Sequence, residues 1–309
     1  MKRFLKGIAL FLVIWLLISS VADIILTKKI RQSPSRAIRV WEDVINGNVN
    51  DDIIILGSSR ACDHYNPEVI EKLTGMTCYN LGQIGKLIDM DIMRYKVFKT
   101  HTKHQPKIII WDVHYNSLNH SDGWCDAVLT PFLKEEEIWK VVKSGHHEFS
   151  ILNRTIPLYR YWKKAYIYDY AFNNIQNDAN PYKGYICKGG ALDSTAASVI
   201  GDGEIKCVKD NSIINSFMST INEMKADGSI VIIVYSPFYY KGIPLVNGID
   251  EISSLYQEIA DEAGITYLCF INDPICEKED YFRDYTHMNS NGADAFSTII
   301  AQYINQHTK

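Results

Sequence analysis

The 309-residue chain is long enough for one large domain or two small ones. At 47% apolar and 22% charged residues it has an ordinary globular composition, which excludes a largely disordered polymer. A net charge of −4, with no long basic run beyond the N-terminal flanks, gives no footprint for nucleic acid.

Residues 7–27 carry one charge, Asp23, and follow Lys2, Arg3 and Lys6. About 20 apolar residues span a bilayer, so this stretch reads as a transmembrane anchor over residues 1–28. The rival reading is a cleaved signal peptide, because Ser20-Val21-Ala22 has the small residues of a cleavage site. Apolar character resumes at Ile24-Ile25-Leu26, which favours the anchor. Basic residues flank both ends, so the charge count does not orient it. Export of the C-terminal part is the simpler outcome, which places that part outside the cytoplasmic membrane, periplasmic or extracellular, or secreted after cleavage. Residues 29–50 read as a polar connector, a stalk with a weakly amphipathic helix over 37–45.

From residue 51 a rhythm of strands and helices begins. Asp52–Leu56 and Gly57-Ser58-Ser59 give a buried aliphatic strand ending in a turn. A helix over 67–73 starts from Asn66 as its cap, with Pro67 at its first position. A second strand covers 77–82, a helix 86–103, and a third strand 107–113. Residues 229–235 and 265–270 supply two more strands, with helices over 210–226, 249–263 and 290–306. Strands alternating with helices predict a parallel five-stranded sheet in a three-layer α/β/α sandwich.

Residues 117–205 interrupt this rhythm and are too long for a loop, so they read as an inserted subdomain. Seven aromatics in fourteen residues, Tyr159–Phe172, form either a platform for sugar rings or the membrane interface, or a helical insert that buries them on the main domain. Residues 177–205 read as surface loop. The seven cysteines lack the paired spacing of a zinc site. Cys187/Cys207 and Cys269/Cys276 are candidate disulfides, with free thiols as the alternative. His146-His147-Glu148 is too short to be a metal site, and no cofactor or metal is expected.

The chemistry-bearing residues stand at the sheet's C-terminal edge, where open α/β sheets bind ligands. Ser58 and Ser59 are there either as a helix cap or as a nucleophile. Asp284 and His287, three residues apart, can form a base whose tautomer is fixed by the carboxylate. Asn289 or Ser290 can cap the last helix.

A strand ending in Gly57-Ser58-Ser59, a later strand ending in N-x-G at Gly82, and the block Asp284-x-x-His287-x-x-x-x-Gly292 resemble the SGNH (GDSL-like) hydrolase superfamily over about residues 50–306, the insert apart. Ser58 stands where that family has Asp, as in membrane-anchored members such as the teichoic-acid D-alanyl transfer protein and alginate O-acetyltransferases. The resemblance implies a flavodoxin-like fold, Ser59 as nucleophile, His287 as base and Asp284 as its partner. It implies an oxyanion hole from Ser59, Gly82 and the Asn116 side chain, although His114-Tyr115-Asn116 lacks the family's glycine and aspartate there. Arg60 either contacts an anionic or carbonyl group of the substrate or faces solvent, and Tyr235 either lines the pocket or packs in a loop. The implied function is an esterase or O-acyltransferase acting on acylated carbohydrate or a cell-envelope polymer. A multi-spanning membrane O-acyltransferase is an implied partner. The alternative is a non-catalytic glycan-binding or assembly component of such a system.

Overall fold

The computed structural model describes residues 1–120, 126–145, 149–164, 167–172, 181–192 and 205–308. His146-His147-Glu148 lies outside these residues, as do parts of the aromatic block and of the 177–205 loop. The chain divides into two compact units, residues 43–122 with 181–309 and residues 1–42 with 123–180.

The larger unit holds the sheet. Its strands are β1 (Ile53–Leu56), β2 (Cys78–Asn80), β3 (Ile108–Val113), β5 (Ile230–Tyr235) and β7 (Thr266–Cys269), all parallel, in the order β2-β1-β3-β5-β7. That is the doubly wound, flavodoxin-like order, as the resemblance implied. The central strands form because β-branched residues fit a surface buried on both faces. Ile53, Ile55 and Leu56 pair with Ile108, Ile110 and Trp111, and every β1 and β3 residue is buried.

The helices are α3 (Ser59–His64), α4 (Pro67–Thr74), α5 (Ile88–His101), α10 (Asn211–Ala226), α11 (Ile249–Ala263) and α12 (Ser290–His307). Two further residue pairs, β4 (Ile205–Lys206) and β6 (Val246–Asn247), make a small separate sheet. Asn66 caps α4 by accepting the Glu68 N–H, and Asn289 caps α12 by accepting the Gly292 N–H. On one face of the sheet Phe296, Ile300 and Ile304 of α12 join Ile53, Ile55, Ile110 and Val234 in a single core.

In the smaller unit, α1 (Lys2–Arg31) is one unbroken helix, long and apolar enough to cross a membrane; a signal sequence meets the same test. Helices α6 (Asp126–Leu129), α7 (Glu136–Gly145), α8 (Ile151–Thr155) and α9 (Ile167–Ala171) belong to it. Of the aromatic stretch, residues 159–164 and 167–172 are described and belong to this unit. Tyr161 alone of its described aromatics is buried, with its hydroxyl 2.6 Å from Thr27 Oγ1 of α1, while Trp162 and Phe172 are exposed. The connector carries the expected helix, α2 (Arg36–Ile45), in which Ile38, Val40, Trp41 and Val44 are buried. The six described cysteines are free thiols, the alternative to the two candidate disulfides.

Candidate active site

The site begins where β1 ends. Gly57 has φ of 135°, a conformation that favours glycine. A Cβ there would stand 2.7 Å from the Asp112 carbonyl oxygen and 2.9 Å from Ala61 Cβ. The missing side chain lets the chain turn tightly between β3 and α3. Ser58 takes the N-cap position of α3 but makes no side-chain cap bond, and it is buried. Ser59 is the first residue of the helix and half-buried, and its Oγ lies 2.8 Å from His287 Nε2.

His287 is held by its own loop. Its Nδ1 is 2.9 Å from both oxygens of Asp284. Asp284 Oδ1 also accepts the N–H groups of Thr286 and His287, each at 2.8 Å, and the Thr286 hydroxyl at 2.9 Å. Burial pushes the Asp284 carboxyl up, but the bond and charge of His287 and the two donors of Thr286 outweigh it and bring it to about 2. The carboxylate therefore stays ionised, keeps the proton on Nδ1, and leaves the Nε2 lone pair facing Ser59. The three residues Ser59, His287 and Asp284 form one hydrogen-bonded chain.

Behind this chain lies a buried polar joint that the sequence did not announce. Arg60 points inward: its Nε and Nη2 donate to Ser236 Oγ at 3.2 and 3.0 Å, and Nη2 also reaches the Ser236 and Pro237 carbonyls. The guanidinium sits 5.0 Å from the ring centre of Tyr235 and 5.7 Å from that of Phe238. Arg60 and Tyr235 are thus both buried and packed on each other. His64 Nε2 accepts the Met288 N–H at 3.1 Å, so its Nδ1 donates to Ser236 Oγ at 3.0 Å. Burial, then the charges of Arg60, His287 and Arg283, push this imidazole well below its ordinary range, and it stays neutral. His64, on α3 with Ser59 and Arg60, therefore joins that helix to Ser236 through one ring nitrogen and to Met288, the residue after His287, through the other. The only sequence signal was a serine just past a buried strand.

The expected oxyanion donors are arranged less simply. Gly82 lies against α3, where a Cβ would meet Cys62 N at 2.8 Å and Ala61 Cβ at 2.9 Å. Its N–H, however, donates to Asn80 Oδ1 at 3.0 Å, so it is not a vacant oxyanion donor in this structure. The buried Asn80 amide goes on to cap Ala61 O and Tyr65 O at 2.7 and 3.0 Å. Arg94 holds the other side of the same loop through the Leu81 and Gly82 carbonyls. Asn116 lies in the turn after β3, half-buried, with its backbone N–H donating to His114 Nδ1 at 3.2 Å. Its side-chain amide makes no hydrogen bond among the described residues. His114 itself was passed over in the sequence. Burial, Arg60 and His287 push it down to about 3, so it is neutral and carries its proton on Nε2. The Ser59 N–H, at the first position of a helix, has no intrahelical acceptor.

A strap, residues 181–192, runs from the sheet edge to this loop. The Asn80 N–H donates to Lys183 O at 2.9 Å, and the Ser290 N–H donates to Lys188 O at 2.7 Å. Lys188 and Arg283 both pair with the buried Asp63.

No family model and no curated protein matches the chain. Solved structures similar to it include a Streptococcus pneumonia protein described as a candidate platelet activating factor (13% identity, 97% of this chain and 99% of that one, TM-score 0.45). Others are an acetylxylan esterase of Geobacillus stearothermophilus (11%, 82% and 94%, 0.41) and a GDSL-like lipase of Bacteroides thetaiotaomicron (11%, 82% and 87%, 0.39). At such identities and TM-scores these likenesses carry no argument about this chain's chemistry.

Proposed function

We propose that the chain is a serine-dependent acyl-ester hydrolase. One observation carries the reading: an unbroken hydrogen-bonded path from Ser59 Oγ through His287 to Asp284, with distances of 2.8 and 2.9 Å. In this reading His287 Nε2 takes the hydroxyl proton as Ser59 Oγ attacks the ester carbonyl. Asp284 stabilises the imidazolium, and His287 returns the proton to the departing alcohol. Water then attacks the acyl-serine by the same route in reverse. The Ser59 N–H and the unengaged Asn116 amide are the proposed oxyanion donors, and Gly82 joins them where substrate displaces Asn80.

Residues 7–27 serve in this reading as an uncleaved anchor that holds the enzyme beside an envelope surface, and acylated carbohydrate there is the proposed substrate. Transfer to a sugar hydroxyl in place of water uses the same triad and is the second product to look for. The test is release of acetate from p-nitrophenyl acetate and acetylated glycans, together with labelling by a fluorophosphonate probe. Ser59→Ala is expected to abolish both. Folded wild-type protein that neither labels nor turns over would sink the catalytic reading and leave the glycan-binding one.

A further inference from the structure

The smaller unit carries features that the proposed chemistry does not use. Residues 1–18 of α1 are exposed on every side, whereas from Ser19 onward one face is covered. Ser19, Asp23 and Ile30 are buried there, and Thr27 bonds Tyr161; positions 19, 23, 27 and 30 recur at the helical period. Asp23 is the one charged residue between positions 7 and 27 of this helix, and it is paired with Arg160, both side chains under a tenth exposed. Between Lys6 and Asp23 the helix rises about 26 Å at 1.5 Å per residue, close to the roughly 30 Å of a bilayer's hydrocarbon. The cover therefore begins where the hydrocarbon would end.

The insert's chain climbs α1 outward from that level. Arg154, Thr155 and Pro157 line a cavity with Ser20, Asp23 and Ile24; the Leu158 N–H donates to Asp23 at 2.9 Å; Tyr161 meets Thr27; and Phe172 lies under Lys29. Four large side chains along this climb are exposed: Ile151 (57%), Leu152, Tyr159 and Trp162 (71%). Beside them two adjoining cavities, of about 400 and 200 Å³, share Asp23, Ile24, Lys134 and Arg160. Arg31, Arg154 and Arg160 pair with Glu42, Glu136 and Asp23. Lys28 and Lys134 line the larger cavity and have no carboxylate partner among the described residues, although Glu135 shares the lining.

From this geometry we propose that the insert is a collar seated in the interfacial layer of a bilayer. Ile151, Leu152, Tyr159 and Trp162 enter that layer, and Lys28 and Lys134 receive the phosphate of an anionic lipid in the groove beside α1. The partner is chosen by continuity with the bare apolar stretch of α1, by the aromatic residues at the level of the headgroups, and by two lysines without a carboxylate partner among the described residues, in a lining of net positive charge.

The full chain in vesicles of phosphatidylcholine with phosphatidylglycerol (7:3), doped with brominated lipids, provides the test. The emission lost in Trp162→Phe is expected to be quenched more strongly by bromines near the headgroup end of the acyl chain than by deeper ones, and the emission lost in Trp15→Phe the reverse. Quenching of Trp15 with none of Trp162 would overturn the collar while leaving α1 in the bilayer. No quenching of either removes the premise, and the proposal with it. Phosphatidylglycerol retained on the purified chain, counted by mass spectrometry, is expected to fall about fivefold for each lysine neutralised in Lys28→Gln and Lys134→Gln, and to fall further in the reversed Glu variants. Retention equal to that of phosphatidylcholine in the wild type overturns the phosphate site.

Discussion

The loop over residues 284–292 and the loops that end β2 and β3 stand at the same sheet edge, but their polar groups are used differently. In the first, every group points at the next: Asp284 to His287, His287 to Ser59, Asn289 to the first turn of α12. In the second, the expected Gly82 donor is engaged by Asn80, and the Asn116 amide stands unengaged. The base-and-acid half of the proposed machinery is preassembled, and the oxyanion half is poised to change partners. An oxyanion exists only during the reaction, whereas the tautomer of a base must be right beforehand.

That contrast is most directly broken at the preassembled half. His287→Ala is expected to lower kcat on p-nitrophenyl acetate by about 10⁴ or more, because the members of such a unit fail together. Ser59→Ala combined with it is expected to cost little beyond either single change. A double variant whose losses multiply would show that the three residues do not act as one chain.

The next largest effect falls on the other half. Asn116→Ala is expected to lower kcat by about 10² with KM nearly unchanged, as for loss of one oxyanion donor. Unchanged kcat would remove Asn116 and turn attention to the Nε2–H of His114, which leaves the same turn.

What the sequence made legible follows from distance along the chain. Aliphatic runs such as Ile53–Leu56 declare buried strands because the signal is contained in four consecutive residues. Asp284 and His287 are legible because three residues separate them. Arg60 was not, since its inward direction depends on Ser236, 176 residues away. The engagement of Gly82 by Asn80 lies within two residues, yet it depends on how the end of β2 meets α3. Asp23 could not be matched with Arg160 for the same reason: 137 residues lie between them. Helix α5 is a further case, with Asp91 buried and bonded to Trp111 Nε1 at 3.0 Å. Burial there pushes its carboxyl up to about 7, against the pull of Trp111 and Arg94.

A smaller effect separates the two halves by pH. Asp284 lies at about 2 in the folded chain, below its ordinary 3.8, so it adds stability that is fully present above pH 3.8. That contribution disappears as the pH falls through about 2, where the folded state must also take up the proton. The shift corresponds to about 2 kcal/mol. Urea unfolding at pH 5 and pH 2 is expected to show the wild type losing about that much more than Asp284→Asn. Equal losses would mean that the carboxylate is not held by His287 and Thr286 in solution.

The smallest effect tests whether the helix behind the loop sets the loop's position. Asn289 Oδ1 accepts the Gly292 N–H at 3.1 Å, and its Nδ2 donates to the carbonyls of Gly190 and Asp280 at 3.0 and 2.8 Å. Asn289→Ala removes a helix cap worth about 1 kcal/mol, while Asn289→Asp keeps the acceptor and loses the two donated bonds. If the cap alone matters, Asp restores the urea midpoint and kcat together. If the strap also holds the loop, Asp restores the α12 cap but leaves kcat a few-fold low, because the His287 loop is then fixed to α12 and released from Gly190 and Asp280. The second result is the one expected, since Ser290 N–H and Asn289 Nδ2 grip that strap at two points.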